Sequence, residues 1–357
     1  MISKRFRNNG KPTAAMNELK ERMKKQVEEK VANGIYSFES PPCCLCGQND
    51  FQLLSEKDRY GLCHPVVICR DCGLVQANPR MTQESYKQFY EIEYRKLYMW
   101  VDTPTDEFFK LRCEHGGEIY QYLTENLTRK IKGYFIVEVG CASGGVLQYF
   151  REKGNEIYGV DLDGEYIEFG RANYNLNLEV GTIDNVIGLG RSPDIVIFSH
   201  VLEHLSEPIS ELRKLRLIMG DNSFLYIELP GNKNIARSYQ RDFLRLLTNS
   251  HVCYFNQTTL RNLLRKAGYE FVCGDEAIYS IFRKSSAADT ELDTGQYNIT
   301  NDYAEAVAFF RRLEFSYSVA QFYKNMRALP YKTLVNFLKI VGLYNFARKI
   351  YHRVKSN

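Results

Sequence analysis

The chain has 357 residues, 44% of them hydrophobic and 25% charged, and its formal net charge is +4. These proportions exclude a disordered or fibrous protein and are typical of one α/β domain of ordinary size with smaller additions. The positive charge lies at the two ends, since residues 1–35 carry nine Lys and Arg against four Glu and residues 311–357 carry ten against one acidic residue. A nucleic-acid enzyme would more often carry that charge on its catalytic face, so we expect no nucleic-acid partner.

The compartment is predicted from the start of the chain and from its cysteines. The first residues are basic but lack the apolar stretch of a signal peptide, and no run of about 18 apolar residues predicts a transmembrane helix. Ten cysteines in a long chain of this kind indicate reduced thiols and metal ligation rather than disulfides. We therefore expect a cytoplasmic protein.

The first predicted element is a mostly solvated helix over residues 13–32, within an N-terminal helical extension that covers residues 1–40. Strong helix formers fill this stretch, which lacks Pro and Gly until Asn33-Gly34 ends it.

Residues 41–80 are predicted to form a zinc-binding module. They contain Cys43-x-x-Cys46-Gly and Cys69-x-x-Cys72-Gly, with 22 residues between the two pairs. This spacing predicts tetrahedral zinc ligation by four thiolates, and a site without an open coordination position is structural. The alternative is four unrelated buried thiols, and a nucleic-acid-binding ribbon is disfavoured by the few basic residues nearby. Three further residues lie close in sequence without a matching pair: Cys44, Cys63 and His64.

Residues 81–130 are predicted to be a helical linker or substrate lid. Aromatic residues are frequent here, and Tyr90, Tyr94 and Tyr98 follow one another at a spacing of four. Such a stripe could line a cleft, although aromatic residues at this spacing more often pack in a core.

Residues 131–285 alternate between short apolar strands and helical segments. The strands read FIVEVG, EIYGVDLD, LNLEVG, DIVIFSHV and SFLYIELPG, and a helix and two strands joined through Gly274-Asp275 follow. This alternation predicts an α/β fold with a doubly wound parallel sheet.

The segment VEVGCASGG indicates the kind of ligand that this sheet binds. Gly140 and Gly144 allow the backbone to approach a ligand closely at the end of the first strand. Glu138 would repel the pyrophosphate of a dinucleotide but suits an ammonium group, which favours S-adenosylmethionine (SAM) over NAD. At the end of the second strand Asp161 can accept both ribose hydroxyls, and Leu162 beside it would pack on the adenine.

These segments, together with DIVIFSHVLEHLSEP and YIELPG in the same order and spacing, resemble the class I SAM-dependent methyltransferases of the ubiquinone- and sugar-modifying type. The resemblance covers roughly residues 131–285 and implies a seven-stranded, Rossmann-like sheet. The donor site that it implies consists of Glu138, Gly140, Ala142, Gly144, Asp161, Leu162, Ile183, Ser199 and His200. Ser199 and His200 would lie near the sulfonium. The sequence departs from the family pattern at Thr182, where an acidic residue often holds the adenine amino group. Ile183 would still cover the adenine ring.

A zinc module in front of such a domain resembles the zinc-containing sugar C-methyltransferases, in which the module helps to form the substrate cleft. His251 matches the second histidine of their H-E-H-x-x-Y-F segment and is the predicted catalytic base. Ser250 replaces the glutamate of that segment, which puts carbon methylation in doubt. A substrate hydrogen bond or a structural role for His251 stays open, and His204 is interpreted as structural.

The expected function is O-methylation of a sugar in a nucleotide-linked or lipid-linked glycan intermediate of polysaccharide biosynthesis. Methylation of a keto-sugar carbon and a non-catalytic donor-binding or assembly role are the alternatives. The acceptor would thus be a small molecule or glycan, while its identity and the oligomeric state are not predicted.

Residues 286–357 are predicted to be a linker followed by a basic helical region. Five apolar residues fall on one helical stripe with Lys and Arg around it: Leu334, Phe337, Leu338, Val341 and Tyr344. Such a helix would suit peripheral contact with the anionic inner membrane surface, and docking on the protein's own core explains the same stripe.

Overall fold

The computed structural model describes residues 1–98, 103–285 and 299–328. The predicted basic stripe beyond residue 328 lies outside these ranges. Within them, no helix is both long and apolar enough to cross a membrane.

The N-terminal extension begins with a 3-10 turn at Lys4–Phe6 and continues into helix α1, Glu18–Ala32. The helix begins five residues later than predicted because the side chain of Asn17 accepts a hydrogen bond from the Lys20 N–H and caps it there. Met23 and Val27 are its buried residues, and their spacing of four gives the helix one narrow apolar stripe.

Residues 38–98 form five strands and a helical segment. The elements are β1 (Phe38–Glu39), β2 (Phe51–Lys57), β3 (Cys63–Cys69), β4 (Val75–Ala77), β5 (Arg80–Met81), α2 (Gln83–Phe89), a π-helical turn (Tyr90–Tyr94) and α3 (Arg95–Tyr98). Strands β2, β3 and β4 form an antiparallel sheet, and β1 pairs with β5. This sheet is extended by a strand from much later in the chain, described below.

Helix α4, Asp106–Leu127, precedes the central sheet and packs along helix α5, Gly145–Glu152. Thr105 caps it by accepting a hydrogen bond from the Phe108 N–H. Gly116 allows the close approach, since a Cβ there would lie 2.8 Å from the carbonyl oxygen of Val146. The packing positions the first half of α4 above the carboxyl ends of the strands.

The central sheet has seven strands in an alternating arrangement with helices. Its elements are β6 (Phe135–Val139), α5 (Gly145–Glu152), β7 (Glu156–Asp161), α6 (Gly164–Tyr174), β8 (Leu178–Val180), α7 (Ile183–Gly188), β9 (Ile195–Ser199), a 3-10 turn (Leu202–His204), α8 (Pro208–Ile218), β10 (Phe224–Glu228), α9 (Ile235–Ser238), α10 (Phe243–Leu246), β11 (Cys253–Tyr254), α11 (Gln257–Lys266), β12 (Tyr269–Gly274) and β13 (Tyr279–Lys284). The strand order is β12-β13-β10-β9-β6-β7-β8, and only β13 runs antiparallel to its neighbours. The predicted doubly wound fold is therefore confirmed, with β6, β9 and β10 buried along their whole length because helices cover both faces.

Strand β11 does not join the central sheet. It pairs antiparallel with β4, with Cys253 opposite Gln76 and Tyr254 opposite Val75. The resulting sheet β11-β4-β3-β2 joins the cysteine-rich region to the segment that carries His251. Helix α12, Tyr303–Ala328, packs against this sheet and α10, where Phe310 contacts Phe243 at a ring-centroid distance of 4.6 Å.

Candidate active site

The loop after β6 has an unusual backbone that brings several N–H groups to the sheet edge. Gly140, Ala142 and Gly144 all have positive φ, at 74°, 48° and 78°. A Cβ on Gly140 would lie 2.6 Å from Cγ2 of Val201, so this position has no room for a side chain. The Ala142 N–H donates a hydrogen bond of 2.8 Å to Oδ2 of Asp161, which ties the loop to the end of β7.

Glu138 lies on β6 under this loop, fully buried. Neither of its oxygens has a hydrogen-bond partner among the described residues, and the nearest cation is Nη2 of Arg112 on α4, at 3.8 Å. Burial raises the pKa of Glu138 to about 7, although Arg112 and His115 oppose the rise. A buried carboxylate without hydrogen bonds is costly unless a ligand supplies them, and a cationic ligand suits it best.

Asp161 is held from three sides at the end of β7. Besides Ala142, it accepts a 2.9 Å hydrogen bond from the Asp163 N–H and forms a 3.5 Å ion pair with Arg95 of α3. The Arg95 guanidinium lies 3.9 Å from the centre of the Tyr166 ring. The two carboxylates predicted at adjacent strand ends thus lie beside the glycine-containing loop.

The residues predicted around the adenine differ in exposure. Leu162 is 64% exposed and open to a ligand, whereas Ile183 is 2% exposed and packs in the core. Thr182 caps α7, where its side chain accepts a hydrogen bond from the Asp184 N–H. Its hydroxyl oxygen therefore already accepts a hydrogen bond within the protein.

The ends of β9 and β10 bring two histidines to one carboxylate. Ser199 ends β9, and His200 follows with φ of 59° and an N–H that donates to the carbonyl oxygen of Glu228. The Glu228 carboxylate lies 2.8 Å from Nε2 of His115, a residue of α4, and 3.7 Å from Nε2 of His200. Burial opposes the charged forms, but the hydrogen bond lowers the pKa of Glu228 and raises that of His115, which favours the ionic form of the pair.

A cavity of about 130 Å³ lies beside this pair. Its lining includes His200, Glu228, Asn234, Tyr239 and Tyr279. A larger, open depression on the outer face of α6 contains none of the predicted site residues.

His251 lies in a second buried cluster next to His200. It is 9% exposed, and its ring centre lies 4.9 Å from that of His204. Glu203 is 1% exposed; its Oε1 lies 3.3 Å from Nδ1 of His200, while Oε2 has no hydrogen-bond partner in the described chain. Burial lowers the pKa of His251 well below its usual range, and the charge of Arg59 adds to this, so the imidazole is neutral.

The arrangement of Glu203, His204 and His251 can serve acid–base chemistry. One ligand atom from each residue lies within 4.8 Å of the others, so the cluster could also hold a metal ion. Nδ1 of His204 lies 3.0 Å from the Ser250 carbonyl oxygen, which can only accept, so this nitrogen carries the hydrogen. The same nitrogen lies 2.8 Å from the Tyr90 hydroxyl. His204, interpreted from the sequence as structural, thus lies directly beside the predicted base.

The tyrosine stripe both packs and reaches this cluster. Adjacent ring centres in the series Tyr90, Tyr94 and Tyr98 lie 4.9 and 5.9 Å apart. Tyr90 contacts His204 at one end, and Tyr98 donates a 2.7 Å hydrogen bond to Asp58 at the other. The tyrosines therefore pack against one another as core residues and also contact the cluster that contains His251, which agrees with both interpretations of the stripe.

The four predicted zinc ligands converge at the end of the cysteine-rich sheet. Sγ of Cys43 lies 3.5 Å from Sγ of Cys72, and Cys46 and Cys69 are equally close. A tetrahedral zinc with Zn–S bonds of about 2.3 Å would separate its sulfurs by roughly 3.8 Å, so the group fits the ion. Backbone N–H groups of Gln48 and Asp71 reach the sulfurs of Cys46 and Cys69, as a thiolate requires.

The other nearby ligand residues lie apart from this cluster. Cys44 contacts Cys253, with 3.0 Å between the sulfurs, and Nε2 of His64 lies 2.9 Å from the Tyr254 hydroxyl. Cys63 is exposed.

The charged residues of the site that the sequence interpretation missed include Arg95, Arg112, His115 and Glu228. Arg112 and His115 are three apart, a spacing that puts both on one face of α4 and could have signalled them. Glu228 closes the apolar strand YIELPG, at the edge where ligands bind in such sheets.

A Rossmann-like sheet with a glycine-containing loop and carboxylates at two adjacent strand ends defines an α/β enzyme that binds a nucleoside-containing cofactor. The family described as "Methyltransferase domain" matches residues 114–273 of the chain. The strand order, with its single antiparallel strand, belongs to the same fold. Residues 114–273 are thus a methyltransferase domain, and the sheet around them has the class I SAM-dependent methyltransferase fold.

Solved structures with a similar fold have low sequence identity to the chain. Magnesium protoporphyrin IX methyltransferase from Synechocystis PCC 6803, with bound SAH, is 13% identical, with 57% of this chain and 100% of that chain covered and a TM-score of 0.41. DesVI from Streptomyces venezuelae is 14% identical, with 56% and 100% covered and a TM-score of 0.39. A SAM-dependent methyltransferase from Archaeoglobus fulgidus is 20% identical, with 46% and 75% covered and a TM-score of 0.35. No curated protein matches the sequence.

Proposed function

We propose that the enzyme transfers the methyl group of SAM to a hydroxyl of a sugar in a nucleotide-linked or lipid-linked glycan intermediate. His251 would act as the base. The observation that carries the proposal is the neutral, buried imidazole of His251 beside Glu203 and His204. A neutral imidazole can take a proton, and the acidic neighbour Glu203 stabilises the imidazolium that results.

The donor would lie across the carboxyl ends of β6, β7 and β9. Its ammonium group pairs with Glu138, whose oxygens have no other hydrogen-bond partner among the described residues, and its carboxylate with Arg112. The ribose hydroxyls bind Asp161, and the adenine packs on the exposed Leu162. Backbone at Gly140, Ala142 and Gly144 borders the methionine and ribose, Ile183 borders the ring from the core, and Ser199 and His200 lie near the sulfonium.

The reaction is a displacement at the methyl carbon. The acceptor oxygen forms a bond to that carbon while the carbon–sulfur bond breaks, and S-adenosylhomocysteine (SAH) leaves with the electron pair. The proton of the acceptor hydroxyl passes to His251, so charge and atoms balance. The protein contributes mainly alignment of oxygen, carbon and sulfur.

We also propose that the four-cysteine cluster binds one structural zinc ion. The distances between its sulfurs suit a tetrahedral ion, and four thiolates leave no coordination position for a substrate. The ion would then hold β2 and β3 in place against the segment that carries His251.

Two alternative functions would give different experimental results. Carbon methylation of a keto-sugar would use the same cleft, and the carbon chemical shift of the new methyl group distinguishes it from O-methylation. A donor-binding protein without turnover would keep its activity in cells after His251→Ala, whereas an enzyme would lose it.

The test is transfer from tritiated SAM to a panel of nucleotide sugars, glycolipids, protein and RNA. Label on a sugar-containing acceptor supports the proposal, and label only on protein or RNA overturns it.

A peripheral contact of the basic C-terminal region with the inner membrane surface is a separate proposal. Equal flotation on anionic liposomes by the full chain and by a truncation after Leu329 would end it.

A further inference from the structure

The hairpin of β2 and β3 carries a fixed tip that contacts the catalytic region. The Arg59 N–H donates a 3.0 Å hydrogen bond to the carbonyl oxygen of Leu247, and the Arg59 carbonyl oxygen accepts one of 2.8 Å from Thr13. The Asp58 carboxylate, fully buried, accepts hydrogen bonds from the Tyr60 and Leu62 N–H groups, both of 2.9 Å. The backbone at Arg59 is therefore held from both sides before any substrate arrives.

The Arg59 side chain differs from the other arginines around the cleft. Arg95 and Arg112 each have a carboxylate within 4 Å, whereas Arg59 forms neither an ion pair nor a side-chain hydrogen bond with the described residues. Its Nε is buried without an acceptor in that part of the chain. A guanidinium has five N–H donors, and a buried donor without an acceptor is unfavourable, so an external acceptor would be bound favourably.

Aromatic rings hold this guanidinium beside the proposed base. Its Cζ lies 5.4 Å from the centre of the Tyr98 ring and 5.7 Å from that of Tyr60. The Tyr98 hydroxyl also accepts a 3.0 Å hydrogen bond from the N–H of Asn249, two residues before His251. Burial lowers the pKa of the His251 imidazole, and the charge of Arg59 lowers it further. Tyr239 packs against the buried cluster that includes Leu247, whose carbonyl oxygen accepts the hydrogen bond from the Arg59 N–H.

Tyr239 connects this position to the cleft, because it also lines the cavity that contains His200 and Glu228. A molecule in that cavity with a hydroxyl near His251 would therefore extend toward Arg59. The tyrosines along this path offer flat apolar surfaces and hydroxyl groups, which suit a sugar.

We propose that Arg59 binds an anionic group of the acceptor, a phosphate or a carboxylate, and so selects phosphorylated or acidic sugars over neutral ones. The inference rests on the proposed function and adds a substrate class to it. Arginine matches both oxyanions with two parallel hydrogen bonds, which also orients the bound sugar. The zinc module would thus take part in substrate recognition through the tip of its hairpin.

The test is calorimetric titration of the zinc-loaded full chain, saturated with SAH, with inorganic pyrophosphate, uridine diphosphate and glucuronate. We expect at least one anion to bind, Arg59→Gln to weaken it about tenfold or more, and Arg59→Lys to retain part of the affinity. Arg70→Gln is the matched control, since Arg70 lies on the same module but is exposed and pairs with Asp50. Preference for pyrophosphate or uridine diphosphate assigns a phosphate, and preference for glucuronate assigns a carboxylate.

Unchanged anion affinity in Arg59→Gln, or no anion binding by wild-type protein that binds SAH, overturns the inference. The proposed function fails separately. If anions bind through Arg59 but no sugar accepts tritium, the anion site stands and the transfer reaction does not. If a sugar phosphate is methylated with the same KM in wild type and Arg59→Gln, transfer stands and the anion site does not.

Discussion

The donor and acceptor halves of the proposed cleft are built in different ways. The donor half comes from consecutive strand ends, and its main residues, Glu138 to Asp161, lie within 24 positions of one another. The acceptor half comes from four separate segments, around residues 58–60, 90–98, 203–204 and 249–254. Local sequence can therefore specify the proposed donor site, whereas the proposed acceptor site depends on how the cysteine-rich region and the catalytic region meet.

The largest expected effect comes from breaking the zinc cluster. Cys69→Ser removes one of four ligands at the base of the β2–β3 hairpin, so we expect zinc to be lost, the unfolding temperature to fall by about 10 °C and methyl transfer to disappear. Because the donor half is local, SAH affinity should fall much less. Zinc assay, thermal unfolding and SAH titration check this.

The exposed Cys63, outside the cluster, provides the control. Cys63→Ser should leave zinc content and stability unchanged. Full zinc content in Cys69→Ser would contradict the assignment, and a loss of SAH affinity as large as the loss of activity would contradict the independence of the two halves.

The next largest effect is expected from the proposed base. His251→Ala should lower kcat by about 10²- to 10⁴-fold, because it removes the proposed proton acceptor, and leave the Kd for SAH unchanged. Single-turnover transfer from SAM measures the change in catalytic rate, and calorimetry measures the Kd for SAH. A kcat within a factor of three of wild type would rule His251 out as the base.

On the donor side, Asp161→Ala should weaken SAH binding by about 10- to 100-fold through loss of the ribose hydrogen bonds. Asp163→Ala is the matched control two residues away. Asp163 caps α6 and pairs with Arg95, the cation that also pairs with Asp161, so its loss should lower stability by about 1 kcal/mol and change SAH affinity far less than Asp161→Ala does. Equal losses of affinity in the two variants would mean that Asp161 acts by holding the loop rather than the ligand.

The smallest effect is a pH dependence of donor binding. The pKa of Glu138 is raised to about 7 by burial, against the opposing charges of Arg112 and His115 and with support from Asp161 and Glu228. An ammonium group favours the ionised carboxylate, so binding below pH 7 must displace a proton. SAH affinity should therefore fall by up to about tenfold per unit as the pH drops below 7, and level off above it.

Glu138→Gln isolates this group from the other titrating residues nearby. The variant should bind SAH more weakly at pH 8 and show a flatter profile between pH 6 and 8 than wild type. Identical slopes in the two proteins would assign the pH dependence to the ion pair of His115 and Glu228 instead.

The sequence by itself determined the sheet, the glycine-containing loop, the two strand-end carboxylates and the pairing of cysteines into one cluster. Each of these follows from residues close in sequence, because strand periodicity, positive φ and C-x-x-C spacing are local properties. Helix α1 began later than predicted for a local reason too, since the Asn17 cap decides the first turn.

Only the tertiary structure decided what surrounds His251. The pairing of β11 with β4 brings the hairpin tip with Arg59 beside it, and the packing of α4 on α5 carries Arg112 and His115 over Glu138 and Glu228. Each of these residues lies more than 20 positions in sequence from the group that it contacts, so no short sequence pattern predicts the contact. Burial then sets their chemistry, since the same carboxylate or imidazole in water would keep its ordinary pKa.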